Sequence, residues 1–267
     1  MPGPFVDIHC HLLPGIDDGA ADWETTLGMA QMAVAEGTST VLVTPHQLGN
    51  FAHNLGDDIR RRTQELQQVL QQHDIPLKVL PGGDVRIEDR MIERLLCGEV
   101  VSLADLRQHV LLELPHELYF PLQGVLSALS REGMMGILSH PERNRGLLRE
   151  PELLPGLVDQ GCLMQVTAGS LMGNFGKSSQ QLGEWMLCEG LVHFIATDAH
   201  GTRSRRPLIR RAYDRVVELT DTKTADDLCC HNPAMVAHGE RVEAGRRFRP
   251  RSGNRGWRRL FGKKKVA

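Results

Sequence analysis

The sequence predicts an α/β fold, a distorted seven-stranded (β/α) TIM-like barrel, from two observations. Seven short apolar runs alternate with segments of helical periodicity, which is the pattern of parallel strands joined by right-handed crossovers. Each run is apolar enough to be buried on both faces, which a closed barrel explains more simply than an open sheet. Seven units rather than eight indicate an irregular relative of the TIM barrel.

The first half of the chain is predicted to contain three strands and three helices. Asp22 is suited to an N-cap and Gly37 to a C-terminal cap, and apolar side chains between them recur every three or four residues. A polar segment with sparse leucines follows the second strand and predicts an exposed helix. The predicted strands are 5–8, 40–44 and 77–80, and the predicted helices are 23–36, 57–72 and 88–96.

The second half is predicted to contain four strands and five helices. The fourth strand encloses one acid, Glu113, within an apolar run, and Pro121 is suited to the first turn of the helix that follows. A glycine-rich segment comes directly after the sixth strand. The predicted strands are 110–114, 136–139, 163–166 and 192–196, and the predicted helices are 120–129, 151–160, 178–189, 205–219 and 224–236.

Charge divides the chain into two parts. Residues 246–267 hold ten of the 31 lysines and arginines and no acid, so residues 1–245 carry 21 basic against 33 acidic groups, a net charge of −12. We expect residues 1–245 to form one domain and residues 246–267 a basic, disordered tail. The alternative for the tail is contact with an anionic membrane surface, because Trp257, Leu260 and Phe261 lie among its positive charges. Nucleic acid is not expected as a partner of so acidic a domain.

The sequence also predicts the cellular compartment. No apolar stretch is long enough to span a bilayer, and no signal peptide is evident, so we expect a cytoplasmic protein with six reduced cysteines.

The positions of the cysteines exclude one catalytic mechanism. Phosphotyrosine hydrolysis by a cysteine nucleophile needs a Cys-x5-Arg loop. None of the residues six positions after the cysteines is arginine, which excludes that mechanism; they are Ile16, Leu103, Ala168, Phe194, Met235 and Val236.

Side chains able to bind a metal stand at the ends of six of the seven predicted strands. The carboxyl ends of parallel barrel strands meet at one face, where active sites form. Imidazole and carboxylate ligands together suit zinc, manganese or iron better than calcium. The sequence therefore predicts a polynuclear metal site and hydrolysis without a covalent enzyme intermediate. The strand-end residues are His9 and His11, His46, Asp84, Glu113, His140, and Asp198 with His200.

Short motifs occur in a fixed order along residues 4–240. They are Asp7-Ile8-His9-Cys10-His11 with Asp17-Asp18-Gly19, Thr44-Pro45-His46, Pro81-Gly82-Gly83-Asp84, Glu113-Leu114, Ser139-His140-Pro141-Glu142-Arg143, Thr167-Ala168-Gly169-Ser170-Leu171 with Phe175-Gly176, and Thr197-Asp198-Ala199-His200. Together they resemble the PHP (polymerase and histidinol phosphatase) superfamily. The branch that they resemble most is the bacterial tyrosine-protein phosphatases of the CpsB/YwqE type, which are associated with capsule and exopolysaccharide synthesis.

The resemblance implies the distorted barrel of the PHP fold and a trinuclear centre. The ions implied are Mn2+, with iron, zinc or magnesium as alternatives. By position, His9, His11, Asp84 and Asp198 would hold one ion, Asp84 would bridge to a second completed by Glu113 and His140, and Asp18, His46 and His200 would hold the third. Asp17 is the alternative to Asp18 as a ligand.

This chain departs from the family pattern at Asp84 and matches it at two arginines. The family pattern has glutamate at position 84, and aspartate is one methylene shorter, so either the backbone approaches the metal more closely or the bridge is weaker. Arg143 matches an arginine placed to contact the phosphate. Arg205 matches an arginine near the site, although the surrounding basic run leaves its alternative, a solvated helix start, open.

The resemblance implies a metal-dependent protein-tyrosine phosphatase that regulates capsule or exopolysaccharide synthesis. Its substrate would be a phosphotyrosine protein, a membrane-bound bacterial tyrosine kinase of polysaccharide assembly, which would place the enzyme near the inner membrane. The alternatives are a PHP phosphoesterase acting on a small ester such as histidinol phosphate or a nucleotide, and a non-catalytic protein that docks to the kinase. Oligomerisation stays open.

Overall fold

The strands of the protein form two parallel sheets. A computed structural model describes residues 2–247, so that all but the first two residues of the predicted tail, including Trp257, Leu260 and Phe261, lie outside the described part. Within it, β1, β2 and β4 form one sheet, and the other has the order β3-β5-β6-β7-β8-β9. The strands are β1 Phe5–Cys10, β2 Thr38–Val43, β3 His46–Gln47, β4 Lys78–Pro81, β5 Asp84–Arg86, β6 His109–Glu113, β7 Met135–Ser139, β8 Leu163–Thr167 and β9 Phe194–Ala196.

The mixed α/β architecture with parallel strands is as predicted, but one closed seven-stranded sheet is not confirmed. The second and third predicted strands each continue, after a break, as a short strand of the second sheet. Pro45, which has no N–H to donate to a ladder, separates β2 from β3, and Gly82 and Gly83 separate β4 from β5. Strands of two and three residues are too short to give a periodic signal, so the sequence did not predict them.

The two sheets meet where β1 approaches the end of β9. Cys10 forms an isolated parallel bridge with Ala199, and the Asp198 amide donates to the His9 carbonyl at 2.7 Å. This junction brings the carboxyl end of β1 beside the carboxyl end of β9. The ends of the first and last strands therefore share one face of the molecule.

The helices cover the outer faces of the sheets. Helix α1 begins after Asp22, whose side chain accepts from the Thr25 amide, and ends at Gly37, which has the positive φ of 98° that favours glycine. No helix among residues 2–247 is both long and apolar enough to cross a membrane. The helices are α1 Trp23–Glu36, α2 Gly56–Gln72, α3 Met91–Leu96, α4 Gln123–Arg131, α5 Arg145–Arg149, α6 Leu153–Asp159, α7 Ala168–Leu171, α8 Lys177–Cys188, α9 Arg210–Leu219, α10 Thr222–Asp226 and α11 Asn232–His238.

The two faces of the larger sheet pack into different parts of the core. Leu111, Ile137 and Leu163 lie on one face, in the cluster that also contains Ile8 of β1. Residues one position further along the strands, such as Leu112, pack against the surrounding helices. Because every residue of β1, β7 and β8 is buried, the strands hold their ends in fixed positions.

A buried histidine predicts how stability depends on pH. His193 accepts from the Met164 amide and donates to the Gly245 carbonyl, and burial, together with Arg247, lowers its pKa from 6.5 to about 4. Because the unfolded chain binds the proton more readily, the contribution of His193 to the free energy of unfolding is fully present above pH 6.5. This contribution is lost as the pH falls towards 4. We expect the wild type to lose about 2 kcal/mol more than His193→Asn between pH 7 and 5, measured by urea unfolding. Equal losses in the two proteins would contradict this.

Candidate metal centre

The strand ends bring all nine predicted ligands to one face. His9 is in β1 and His11 follows it, and Glu113 ends β6. His140 and Asp198 come shortly after β7 and β9 and both have positive φ angles, 33° and 50°, a strained conformation found at functional sites. Ligand atoms within each of four groups lie within 4.8 Å of one another; the groups are His11, Asp18, His46 and His200; His9, His11 and Asp84; His9, His140 and Asp198; and His46, Asp84 and Glu113.

The groups overlap, since His9, His11, His46 and Asp84 each belong to two of them. Overlapping groups are the arrangement expected of a polynuclear site. His140 lies in one group with His9 and Asp198, and its Nε2 is also 4.0 Å from a Glu113 oxygen. These separations are compatible with the pairing of Glu113 and His140 that the family resemblance implied, and that pairing stays a prediction.

Hydrogen bonds to the Nδ1 atoms of His9 and His11, on the side of each ring away from the centre, fix the direction of the two rings. His9 contacts the Gln165 side-chain oxygen through Nδ1 at 2.9 Å, and His11 contacts Asp17 through Nδ1 at 2.8 Å. Both Nε2 atoms therefore point to the centre, where they lie 3.3 Å apart and within 3.4 Å of an Asp198 oxygen. Such outer partners hold the tautomer and orientation that metal binding requires.

Asp17 and Asp18 have different positions, although they are adjacent in sequence. Asp17 is on the outer side of His11, and it also accepts from the His46 amide at 2.9 Å. Asp18 lies 3.3 Å from His46 Nε2 and 3.4 Å from His200 Nε2, within the four-residue group. Asp18 therefore lies within a group of side chains able to hold a metal, whereas Asp17 lies on the outer side of His11 and orients that ring.

Asp84 begins β5 and lies beside His46 of β3, with its carboxylate in the centre. Its amide donates to the Pro45 carbonyl at 3.1 Å, and its carboxylate lies 3.3 Å from His46 Nδ1 and 3.5 Å from His9 Nε2. A Cβ at Gly83 would be 2.4 Å from the Gln47 side-chain oxygen, so glycine permits this approach. The aspartate at position 84 therefore reaches both histidines in spite of its shorter side chain.

We expect Asp84→Glu to impair this site. A further methylene in a fully buried position forces the carboxylate against the two histidines, which should cost about 1–3 kcal/mol of unfolding free energy and lower the metal content. Urea unfolding and metal analysis of purified protein would measure both effects. Unchanged stability with a higher metal content would instead mean that Asp84 is too short for its role.

The electrostatics of the centre favour positive charge. Burial opposes protonation of His9 and His46, but the carboxylates facing them raise their pKa values to about 9 and 11. Burial and the nearby Asp84 raise the pKa of Glu113 to about 7. The histidines and arginines around Asp198 hold the pKa of that carboxyl well below its usual range, despite its burial. The centre thus stabilises cations among buried carboxylates.

Several buried polar atoms of the centre have no hydrogen-bond partner among the described residues. They include both carboxylate oxygens of Asp84, one of Asp198, and Nε2 of His200. Unpartnered buried carboxylate oxygens cost free energy unless a cation satisfies them. Together with the mixed imidazole and carboxylate donors, these atoms fit divalent metal ions.

The two arginines predicted from the sequence both contact the carboxylate of Asp198. Arg143 and Arg205 both donate to the same oxygen of Asp198, Arg205 at 2.6 Å. The Arg143 guanidinium also lies 4.1 Å from the centre of the Phe175 ring, a cation–π contact that fixes its position. Two guanidinium groups beside a metal-binding cluster can bind an anionic group such as phosphate.

Sequence reasoning missed three residues that hold the centre in place. Asp7 is buried and accepts from the amides of His9 and Thr197, which ties β1 to the segment that carries Asp198. Glu142 accepts from the Thr167 amide and the Ser170 hydroxyl, and Gln165 contacts His9. An acid within an apolar strand was a usable signal for Asp7, as it was for Glu113, whereas Gln165 gave none.

The fold and the site together define a class of protein. In this class, the strand ends of a parallel α/β fold bring together histidines and carboxylates that are able to hold several metal ions. The model of the family described as capsular polysaccharide synthesis, CpsB/CapC, matches residues 5–238. The chain belongs to this family.

Comparison with individual proteins agrees with this membership. Tyrosine-protein phosphatase YwqE of Bacillus subtilis is 37% identical over 203 residues, which cover 75% of this chain and 79% of the relative. A solved structure from work on YwqE of B. subtilis and CpsB of Streptococcus pneumoniae, described as unique metal-dependent tyrosine phosphatases, has a TM-score of 0.86 and 32% identity over 90% of this chain and 96% of that one. A TatD family hydrolase of Entamoeba histolytica has a TM-score of 0.54 at 13% identity over 89% of this chain and 98% of that one, a likeness of fold alone.

Proposed function

We propose that this chain is a metal-dependent protein-tyrosine phosphatase of capsule or exopolysaccharide synthesis. The observation that carries the proposal is the convergence of Arg143 and Arg205 on Asp198, beside a cluster of buried metal-binding side chains. Such a centre suits a phosphate monoester, whose charge both arginines and metal ions can neutralise. Membership of the CpsB/CapC family and similarity to named tyrosine-protein phosphatases support phosphotyrosine as the substrate.

We further propose that the nine residues of the four groups hold two or three ions, with Mn2+ as the first candidate. Bound ions would supply Lewis acidity, which neutralises the phosphate and makes a water molecule nucleophilic near neutral pH. Arg143 and Arg205 orient the phosphate oxygens and stabilise the charge that develops on them. Phe175 and Asp198 hold Arg143 in the required direction, and Asp198 also holds Arg205.

We also propose that the two sheets are parts of one distorted PHP barrel, in which residues 1–245 form a single catalytic domain. The Cys10–Ala199 bridge and the covering of both sheets by helices support this view. The family likeness supports it further, because the match extends over residues 5–238.

For the partner, we propose a membrane-bound bacterial tyrosine kinase of polysaccharide assembly, dephosphorylated at the cytoplasmic face of the inner membrane. The family description supports a role in capsular polysaccharide synthesis. The composition of residues 246–267, ten basic groups and no acid, supports contact between this tail and an anionic membrane surface.

The test is to load the purified protein with Mn2+, count metals per chain, and assay phosphotyrosine peptide, histidinol phosphate and nucleoside monophosphates in parallel. We expect two to three metals and a preference for the peptide. His140→Ala should lose at least one metal and about a hundredfold or more in activity, because His140 belongs to a ligand group, and outer partners alone are worth 10–100-fold. His73→Ala, at an exposed position, is the matched control.

The other outcomes separate the alternatives. Bound metal with turnover of a small ester but not of the peptide would replace the tyrosine assignment with another phosphoesterase activity. A protein that binds no metal and hydrolyses none of these substrates would overturn the proposal and favour a docking role.

A further inference from the structure

A basic cavity of about 420 Å³ lies beside the metal centre, and the proposed hydrolysis does not account for it. Four arginines line it, Arg203, Arg205, Arg206 and Arg211, and no aspartate or glutamate of the described chain is among its lining residues. Its remaining walls include apolar side chains, Phe175 among them. The cavity is thus a positively charged pocket with a partly apolar surface.

Two side chains that line the cavity also make contacts at the metal centre. Arg205 lines it and also donates to Asp198 at 2.6 Å. Phe175 lines it and also packs against the Arg143 guanidinium. An extended peptide advances about 3.3–3.6 Å per residue. A peptide with its phosphotyrosine between the two arginines would therefore place a neighbouring residue in or beside the cavity.

Three of the four arginines carry charge that no carboxylate balances. Within residues 2–247, no ion pair or side-chain hydrogen bond joins Arg203, Arg206 or Arg211 to another group, whereas Arg205 is paired with Asp198. The domain around them is acidic, with a net charge of −12 over residues 1–245. A local excess of positive charge in an acidic protein attracts anionic groups to the cavity.

We propose that this cavity binds an anionic side chain of the substrate, close in sequence to the phosphotyrosine, and so selects acidic phosphopeptides. The inference rests on the proposed phosphatase function and specifies its substrate. Arginine binds carboxylate and phosphate by the same planar geometry, so the anionic group is either an acidic residue or a second phosphotyrosine.

The test compares a double variant, Arg206→Gln with Arg211→Gln, with a matched control, Arg131→Gln with Arg149→Gln. All four residues are exposed, and the two proteins lose the same charge; the first pair lines the cavity and lies outside the metal centre. The substrates are phosphotyrosine peptides flanked by glutamates, by a second phosphotyrosine or by serines, and para-nitrophenyl phosphate, which has no flanking residues.

We expect the KM of an anionic peptide to rise about three- to tenfold in the cavity variant relative to the control, with kcat unchanged. The peptide that shows the rise identifies carboxylate or phosphate as the preferred group. The KM values of the serine-flanked peptide and of para-nitrophenyl phosphate should be the same in both variants. The difference should shrink at 1 M salt, where the Debye length is about 3 Å.

Equal KM values for every anionic peptide in the two variants would overturn the inference, as would an equal rise for the serine-flanked peptide. Failure of the proposed function gives a different result, in which the wild type hydrolyses no phosphotyrosine substrate. In that case, fluorescence anisotropy with a labelled glutamate-flanked phosphotyrosine peptide still tests the cavity. Weaker binding by the cavity variant than by the control supports the inference, and equal binding overturns it.

Discussion

Asp198→Asn should reduce kcat/KM for a phosphotyrosine peptide by about a thousandfold or more. The buried carboxylate lies near both His9 and His11, and it accepts hydrogen bonds from Arg143 and Arg205. Removing one member of a buried charged network costs about 3–5 kcal/mol, and about 1.4 kcal/mol corresponds to a tenfold change in rate. The asparagine side chain has nearly the same shape, so the loss would come from charge rather than from packing.

The measurement combines steady-state kinetics with metal analysis and circular dichroism. Asp89→Asn is the matched control, because Asp89 is exposed and makes no ion pair within the described chain. We expect the control to keep full activity and metal content, and Asp198→Asn to lose metal while keeping its helical signal. If Asp198→Asn retained more than a tenth of the wild-type kcat/KM, Asp198 would not have the central role that its contacts indicate.

Removal of divalent metal by a chelator should abolish activity and also destabilise the fold. The carboxylates of Asp84, Asp198 and Glu113 would remain together in a buried site, which already raises the pKa of Glu113 to about 7 through burial and Asp84. A ligand present at a hundred times its dissociation constant stabilises a protein by about 2.7 kcal/mol. For a domain of this size, that corresponds to a fall in Tm of roughly 5–10 °C.

Differential scanning calorimetry and a peptide assay on the same samples would measure the two effects. The control is the same chelator, saturated beforehand with Mn2+, which should change neither quantity. Adding metals back one at a time should restore activity and Tm together, and the ion most effective at low concentration identifies the preferred cofactor. Full activity after exhaustive chelation would contradict a metal-dependent mechanism.

Much of the metal centre could be predicted from the sequence because the chemistry lies where the strands end. His9, His46, His140 and Asp198 each stand at or just beyond an apolar run, and parallel strands bring their carboxyl ends to one face. Local signals also predicted helix α1 from its capping residues, Asp22 and Gly37, since capping depends on neighbouring residues only.

The sequence could not predict which side chains meet within that face. Asp17 and Asp18 have the same side chain, and only the path of their loop directs one to the back of His11 and the other towards His46 and His200. The same holds for the break between β2 and β3, where the chain passes from one sheet into the other.

The sequence by itself determined the alternation of the seven predicted strands with helices and the residue types at the strand ends, because these depend on local periodicity and on the fixed direction of parallel strands. It did not determine the short strands β3 and β5, which give no periodic pattern. The tertiary structure alone decided the division into two sheets, the convergence of Arg143 and Arg205 on Asp198, and the basic cavity beside them. Arg143 and Asp198 are 55 residues apart, so their contact depends on how the whole core packs rather than on any local pattern.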